Sequence, residues 1–169
     1  QLFMIPLSLA IALTIRVGMY YGEKNWLAMR QVQKVGLISA TIFAACTMAL
    51  IALARPYIVA IYTNDVHIMP IALYLLWFAI AYQLVDGWQV SAAGCLRGMQ
   101  DTEAPMWTTL LASWVVVFPI GFYLARATLV SVAGVWVVLI IGLTIACVLV
   151  IRRLFLNNKR LVQLANYSP

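Results

Sequence analysis

The chain has 169 residues, of which 65% are hydrophobic and 9% are charged, and its formal net charge is +6. A soluble domain of this length leaves much of its surface in water, so it cannot hide so much apolar side-chain area. The composition therefore predicts an all-α, polytopic helical membrane protein whose main partner is the lipid bilayer. The apolar runs are continuous and do not alternate with polar residues, which excludes an outer-membrane barrel.

The sequence contains no signature of an enzyme, a cofactor site or a structural metal site. Cys46, Cys95 and Cys147 lie in or at the ends of apolar runs without CxxC or Cys/His spacing, so we interpret them as small core residues. There is no Ser/His pair, no HExxH motif and no phosphate-binding glycine loop. These patterns favour a protein without catalytic activity.

Five apolar segments are long enough to cross a bilayer, which requires roughly 20 helical residues. They cover about residues 2–21, 34–54, 68–94, 105–125 and 129–151. The polar link 22–33 is predicted to lie flat at the interface, and residues 54–67 are predicted to form an interfacial loop with a proline and two tyrosines. Residues 155–169 form a polar C-terminal tail.

Small residues and prolines indicate how these helices pack. Pro105 suits the first position of the fourth helix, where its missing N–H would be unpaired anyway. Pro119 lies inside the same helix and is expected to kink or split it. The second and fifth spans carry small residues on one face, which suits close helix contact: Gly36, Ala40 and Ala44, and Gly134, Gly142 and Ala146.

The distribution of basic residues predicts the orientation in the membrane. Two of the eleven, Arg55 and Arg126, lie at one set of helix ends. The positive-inside rule then places the 22–33 link, the 95–104 loop and the C-terminus in the cytoplasm. The net charge reflects topology, so nucleic acid is not an expected partner. The other nine basic residues lie at the opposite, cytoplasmic ends: Arg16, Lys24, Arg30, Lys34, Arg97, Arg152, Arg153, Lys159 and Arg160.

The third span contains an acidic residue, Asp86, near the middle of the predicted membrane thickness. It precedes Arg97 by eleven residues, which is roughly 16 Å along a helix. Tyr82 and Gln89 share one helical stripe with Asp86, and Gln83 lies beside that stripe. A carboxylate at this depth is costly unless it faces protein or water, so it usually marks an ion or proton path.

Asp86 has two possible functional roles and one structural alternative. It could carry a proton, or it could supply oxygen ligands to Na⁺ together with the Tyr82 hydroxyl and an amide oxygen. Either cation neutralises the carboxylate and weakens its attraction for a cationic compound in the same cavity. The alternative is a structural carboxyl that is hydrogen-bonded to Gln83, Gln89 or a facing hydroxyl. Gln83 and Gln89 are as suited to holding helices together as to lining a substrate cavity.

Two arginines are predicted to lie at cytoplasmic helix ends. Arg16 is close to Gly18, and Arg97 is followed by Gly98. We interpret Arg16, Gly18 and Arg97 as structural residues of this surface, with the arginines snorkelling or pairing with Asp101 or Glu103.

Three segments resemble the multidrug and toxic compound extrusion (MATE) family, in particular its NorM-like bacterial branch. Residues 6–22 read PLSLAIALTIRVGMYYG and resemble the family's eighth helix. Residues 81–105 read AYQLVDGWQVSAAGCLRGMQDTEAP and resemble its tenth helix and the following loop. Residues 134–154 read GVWVVLIIGLTIACVLVIRRL and resemble its twelfth helix. The order and spacing agree over essentially the whole chain.

The resemblance implies a part of a twelve-helix transporter that has two six-helix lobes. Residues 1–154 would form helices eight to twelve of the C-terminal lobe, with the N-terminal lobe and the seventh helix as missing partners. The implied function is Na⁺- or H⁺-coupled export of cationic or zwitterionic drugs across the bacterial inner membrane. Asp86 would match the tenth-helix carboxylate that binds the coupling cation, and Tyr82 its neighbouring ligand. The family's acidic residue on the seventh helix has no counterpart in this chain.

Two other functions are compatible with five spans. The first is a membrane scaffold or remnant protein that transports nothing. The second is a flippase for lipid-linked sugars from the same superfamily, whose cavities tend to be basic because their substrates are anionic. The acidic residue in the third span favours cationic substrates over that alternative.

Overall fold

The computed structural model describes residues 4–62, 69–120 and 132–167. Within these ranges the chain is helical apart from short turns and contains no strand, which confirms the all-α fold. The elements are α1 (Met4–Gly22), α2 (Trp26–Tyr62), α3 (Met69–Gly98), α4 (Glu103–Leu111), a π-helical segment (Ala112–Val117) and α5 (Val132–Tyr167). Helices α1, α2, α3 and α5 are long and apolar enough to cross a membrane. The predicted span 105–125 extends past the described residues.

The link between α1 and α2 is much shorter than predicted. Helix α1 ends at Gly22 and α2 begins at Trp26, so most of the predicted 22–33 interfacial link forms the first turns of α2. Lys24 adopts a left-handed conformation with φ of 55°, which turns the chain sharply. The Asn25 side chain accepts a hydrogen bond from the Ala28 backbone N–H at 3.2 Å and caps α2.

Helix α2 continues through Pro56 to Tyr62, where the sequence suggested a loop over 54–67. Proline cannot donate the hydrogen bond that the Ala52 carbonyl would normally accept in a helix. The Arg55 side chain supplies it instead, with Nε 3.3 Å from that oxygen. The helix therefore tolerates the proline, and the remainder of the predicted loop lies outside the described residues.

Helix α5 runs without a break from Val132 to Tyr167. Residues 155–167, predicted to be a separate polar tail, thus continue the helix of the fifth span. No glycine or proline interrupts the chain between Gly142 and Tyr167. Leu154, directly before this extension, and Asn158 within it are buried, so the extension is packed against the rest of the bundle.

The two prolines of the fourth predicted span act differently from each other. Helix α4 begins at Glu103, so Pro105 is the third helical residue and not the first, although its missing N–H still falls within the unpaired first turn. The π-helical segment ends at Val117, directly before the turn that contains Pro119. Because a proline ring collides with the carbonyl four residues earlier, a wider turn at Val115 relieves the crowding.

Helix α3 lies at the centre and packs against α1, α2 and α5. Its closest approach is to α1, where a Cβ on Gly94 would lie 2.6 Å from the Ala10 carbonyl oxygen, and one on Gly98 would lie 2.7 Å from the Thr14 oxygen. The Thr14 hydroxyl also donates a hydrogen bond to the Gly94 carbonyl at 3.0 Å. These contacts bring the two backbones close enough to fix their crossing point.

The predicted small-residue face of α2, and Gly142 and Ala146 of the face predicted for α5, are confirmed as packing surfaces. Gly36 lies against the Leu13 side chain of α1, and Gly87 of α3 faces Ala40 and Ala44. On α5, Gly142 lies against the Val117 side chain of the π-helical segment, and Ala146 is buried.

Candidate functional site

Asp86 is a buried carboxylate in the central helix, with a relative exposure of 7%. It precedes the C-terminal end of α3 at Gly98 by twelve residues, or about 18 Å at the helical rise of about 1.5 Å per residue. Its position is therefore well inside a helix of membrane-spanning length. Burial of a carboxyl at this depth requires compensating polar groups around it.

Tyr82 and Gln89, the two residues that share the stripe of Asp86, each contact a different neighbouring helix. The Tyr82 ring meets Trp136 of α5 edge-on, with 6.4 Å between the ring centroids. Gln89 Nε2 donates a hydrogen bond to the Thr109 hydroxyl of α4 at 3.3 Å. Asp86 lies between these two contacts on the helix, so its stripe faces α4 and α5.

Gln83 lies beside that stripe, on the flank of α3 that faces α1 and α2. Together with Gly87 it lines a narrow gap between α1, α2 and α3, also lined by Pro6 and Thr47, with a volume of about 10 Å³. Such a gap holds at most one water molecule and no drug. The structure therefore brings Tyr82, Asp86 and Gln89 together on one face and places Gln83 among the packed helices.

An open cavity of about 590 Å³ lies between α3 and α4, on the side to which Gln89 points. Its wall includes Gln89, Thr109 and Trp114, and Arg97 lies at the end nearest the α3–α4 loop. This combination of an aromatic ring, hydroxyl and amide groups is typical of a surface that contacts small organic molecules. In the described part of the chain, no cluster of three His, Cys, Asp or Glu residues forms a ready-made metal site.

The residues predicted to form the cytoplasmic surface have separate environments. Arg16 is exposed on α1, while the Gly18 backbone approaches Gly98, with 3.4 Å between a Cβ built on Gly18 and the Gly98 carbonyl. Arg97 is exposed and lines the α3–α4 cavity. Of the two alternatives predicted for Arg16 and Arg97, pairing with Asp101 is wrong, because Asp101 pairs with Arg153 of α5.

Asp101 accepts two hydrogen bonds on the same oxygen, Oδ2. Arg153 Nε donates at 2.9 Å and Asn157 Nδ2 donates at 2.6 Å. Partial burial opposes ionisation of the carboxyl, but these hydrogen bonds and the Arg153 charge outweigh it and hold the pKa of Asp101 below its usual range. The α3–α4 loop is thereby fastened to α5.

A second polar connection at the same end of the bundle links α2 to α5. Arg30 Nη2 donates to the Asn158 carbonyl at 2.8 Å, and Asn158 Nδ2 donates to Gln33 Oε1 at 2.7 Å. Gln33 in turn donates through Nε2 to the Met99 sulfur at 3.4 Å. These contacts could not be predicted from the sequence, because the α2 and α5 partners lie more than 120 residues apart and form no local pattern. The sequence signal that could have indicated these contacts was the presence of polar residues such as Asn158 inside a long helix.

Residues 1–123 match the MatE family. A probable multidrug resistance protein NorM from Acinetobacter baylyi is 69% identical over 163 residues, which are 96% of this chain and 36% of that protein. The multidrug resistance protein MdtK from Proteus mirabilis is 34% identical over 91% of this chain and 35% of its own length. The chain thus spans about a third of the curated relatives it matches.

Solved structures agree with the helix arrangement. The eukaryotic MATE transporter AtDTX14 superposes with a TM-score of 0.85 at 19% identity and covers 97% of this chain, which matches 37% of that structure. An inward-facing multidrug resistance MATE family transporter superposes with a TM-score of 0.79 at 19% identity, over 99% of this chain and 39% of its own. The family match and the close relative agree, and they confirm the resemblance found in the sequence. The chain belongs to the MATE family and is NorM-like.

Proposed function

We propose that this chain forms part of the C-terminal lobe of a cation-coupled antiporter that exports cationic or zwitterionic drugs. Asp86 and Tyr82 bind the coupling cation, which is Na⁺ or H⁺. Gln89 and the cavity between α3 and α4 contribute to the substrate path. The N-terminal lobe and the seventh helix of the transporter complete the site, and the membrane is the bacterial inner membrane.

One observation carries this proposal: the buried position of Asp86 between two contacts that reach different helices. Tyr82 meets α5 and Gln89 meets α4 on the same stripe as the carboxylate. Burial of an ionised carboxyl inside a membrane-spanning helix is costly, so its presence at this depth usually indicates an ion or proton path. A carboxylate at the meeting point of three helices can respond to their relative movement.

The exchange of drug for cation follows from the charge of the Asp86 side chain. When Asp86 is ionised, it attracts a cationic drug into the neighbouring cavity. Binding of Na⁺ or a proton neutralises the carboxylate, weakens that attraction and releases the drug. For Na⁺, the carboxylate, the Tyr82 hydroxyl and amide oxygens are the hard ligands that such a cation prefers. For H⁺, the Asp86 carboxylate alone binds the proton, and Tyr82 orients that carboxylate.

The test is Asp86→Asn in the full-length membrane protein that carries this chain, compared with Asp86→Glu and with Glu23→Gln. Asparagine keeps the shape of the side chain but cannot be ionised, so we expect coupled efflux to be abolished at normal expression. Glutamate keeps the charge and should retain part of the activity. Glu23 is exposed in the α1–α2 turn, so its neutralisation should leave efflux unchanged.

Drug efflux is measured as dye release driven by an imposed Na⁺ or pH gradient, and a C-terminal tag reports the size of the protein. Wild-type efflux by Asp86→Asn would contradict the assignment of the cation site. A tagged product of 18.8 kDa, the mass of this chain alone, with no efflux in any variant would favour the scaffold alternative.

A further inference from the structure

A groove between α2 and α5 lies at the end of the bundle where the polar connections form, away from Asp86. Its volume is about 220 Å³. The residues from α2 recur at helical spacing and therefore form one face of that helix. We call it the α2–α5 groove, and its lining is Arg30, Gln33, Lys34, Leu37, Leu154, Phe155, Asn158 and Lys159.

The groove has three cationic side chains, Arg30, Lys34 and Lys159, and no acidic one among the residues that line it. Lys34 and Lys159 are exposed. The nearby carboxylate of Asp101 is engaged by Arg153, in the one ion pair found within residues 4–62, 69–120 and 132–167. The charge of the groove is therefore not balanced by the described part of the chain, and it suits an anion.

The floor of the groove is fixed before any ligand arrives. Arg30 donates to the Asn158 carbonyl, and the buried amides of Gln33 and Asn158 are hydrogen-bonded to each other. These bonds hold α2 and α5 at a set distance. A preformed site loses less entropy when it binds a ligand than a site that must first be ordered.

The other half of the groove is apolar and continues along the outer face of α5. Leu37 and Phe155 line it, and Phe155 is 57% exposed. The adjoining surface of α5 is formed by Val148, Ile151, Leu156 and Arg152, and the area that is exposed there is almost entirely apolar. Cations at one end and an apolar strip running toward the membrane interior match the two parts of a phospholipid molecule.

We propose that the α2–α5 groove binds an anionic phospholipid of the cytoplasmic leaflet. Its phosphate contacts Lys34, Lys159 and Arg30, and one acyl chain lies along Leu37 and Phe155. A protein segment in this position would need carboxylates to match three cations, whereas anionic lipid is already present at this depth. The leaflet follows from the orientation given by the basic residues, and the binding itself does not depend on drug export.

The experiment measures lipid retention by native mass spectrometry on the full-length membrane protein that carries this chain. The probes are phosphatidylglycerol, phosphatidylcholine and inorganic phosphate, and the groove variant is Lys34→Gln with Lys159→Gln. The matched control is Lys24→Gln with Arg160→Gln, which removes two exposed positive charges from the same end of the bundle outside the groove. A third variant, Lys34→Arg with Lys159→Arg, keeps both charges.

We expect wild-type protein to prefer phosphatidylglycerol to phosphatidylcholine. The groove variant should lose that preference by at least about tenfold, since each basic residue near the surface strengthens anionic lipid binding severalfold. The control and the arginine variant should keep it. Because retention is read without drug transport, failure of the antiport proposal would not affect the result.

Three outcomes would overturn the proposal. Equal losses of this preference in the groove variant and the control would mean that lipid retention depends on the overall charge and not on this site. Lack of any preference in wild-type protein would mean that another part of the transporter covers the groove. Retention of inorganic phosphate equal to that of phosphatidylglycerol, and lost in the same variant, would indicate a free-anion site.

Discussion

At the scale of single residues, Asp101 connects two parts of the chain that are distant in sequence. Its Oδ2 atom accepts hydrogen bonds from Arg153 and Asn157, which lie one turn apart on α5. The carboxyl is 16% exposed and the Arg153 side chain 45% exposed, so water screens part of the charge interaction. The hydrogen-bond geometry, more than the net charge, holds the α3–α4 loop against α5.

We therefore predict that Asp101→Asn lowers the free energy of unfolding by about 1 kcal/mol at neutral pH. The pKa of Asp101 is lowered in the folded protein, so its contribution is complete above the unfolded value of about 3.8 and is lost as pH falls through the lower folded value. The difference in melting temperature between wild type and variant in detergent should be constant from neutral pH to about pH 5. Below the unfolded value it should shrink.

Glu23→Gln is the control for this measurement, because Glu23 is an exposed carboxylate in the α1–α2 turn at the same end of the bundle. It should leave the melting temperature close to that of wild type. A difference for Asp101→Asn that grows as the pH falls would contradict the direction of the pKa change.

The buried position of Asp86 could be predicted from the sequence, whereas the ion-pair partner of Asp101 could not. A carboxylate in a long apolar helix has few acceptable environments, so its burial follows from its surroundings in the sequence. Asp101 lies in a polar loop with several arginines within reach, and the choice among them depends on how α5 packs against α3. That choice is a tertiary property, so the sequence alone did not identify Arg153 as the partner of Asp101.

At the scale of helices, the crossing of α1 and α3 depends on residues without side chains. Gly94 and Gly98 of α3 face Ala10 and Thr14 of α1 at distances that leave no room for a Cβ atom. The obstructing atoms belong to the backbone, so they cannot move aside as the end of a flexible side chain would. The close approach also permits the hydrogen bond from Thr14 to the Gly94 carbonyl.

We predict that Gly94→Ala destabilises the protein by about 1–3 kcal/mol, because the added methyl group must push α1 away from α3. Gly22→Ala is the matched control, since a Cβ at Gly22 meets no atom within 4 Å. The measurement is the melting temperature of both variants in the same detergent. Equal melting temperatures of the two variants would contradict the close contact between α1 and α3.

Helix ends were harder to predict than helix positions, and the reasons are local. Hydropathy locates the apolar centre of a span, but it does not show that Asn25 starts α2 early or that Arg55 supports the helix through Pro56. It also does not show that α5 extends past the membrane to Tyr167, because that extension depends on buried contacts of Leu154 and Asn158. The small-residue faces were predictable, since their spacing is visible in the sequence.

At the scale of the whole molecule, the same helix arrangement fits two states of a transporter. The chain superposes with a TM-score of 0.79 on an inward-facing MATE family structure and 0.81 on an outward-facing one. The polar contacts of Asp101 and Asn158 and the α1–α3 crossing hold the helices together in this arrangement.

The orientation of the bundle provides the last prediction. Because nine of the eleven basic residues lie at one set of helix ends, we expect the α1–α2 turn to face the cytoplasm and the α2–α3 link to face outward. Single cysteines, Glu23→Cys and Thr63→Cys, are introduced separately after the native cysteines are replaced by alanine. A membrane-impermeant maleimide added to intact spheroplasts should label Thr63→Cys, and it should label Glu23→Cys only after permeabilisation.

The reverse labelling pattern would show that the charge distribution does not set the topology of this chain. It would also place the α2–α5 groove in the outer leaflet, where the surface charge that concentrates basic segments near the membrane is weaker. Lipid retention in the groove would still be measurable, but its cytoplasmic assignment would be wrong. The labelling result therefore decides on which side of the membrane Lys34 and Lys159 meet their ligand.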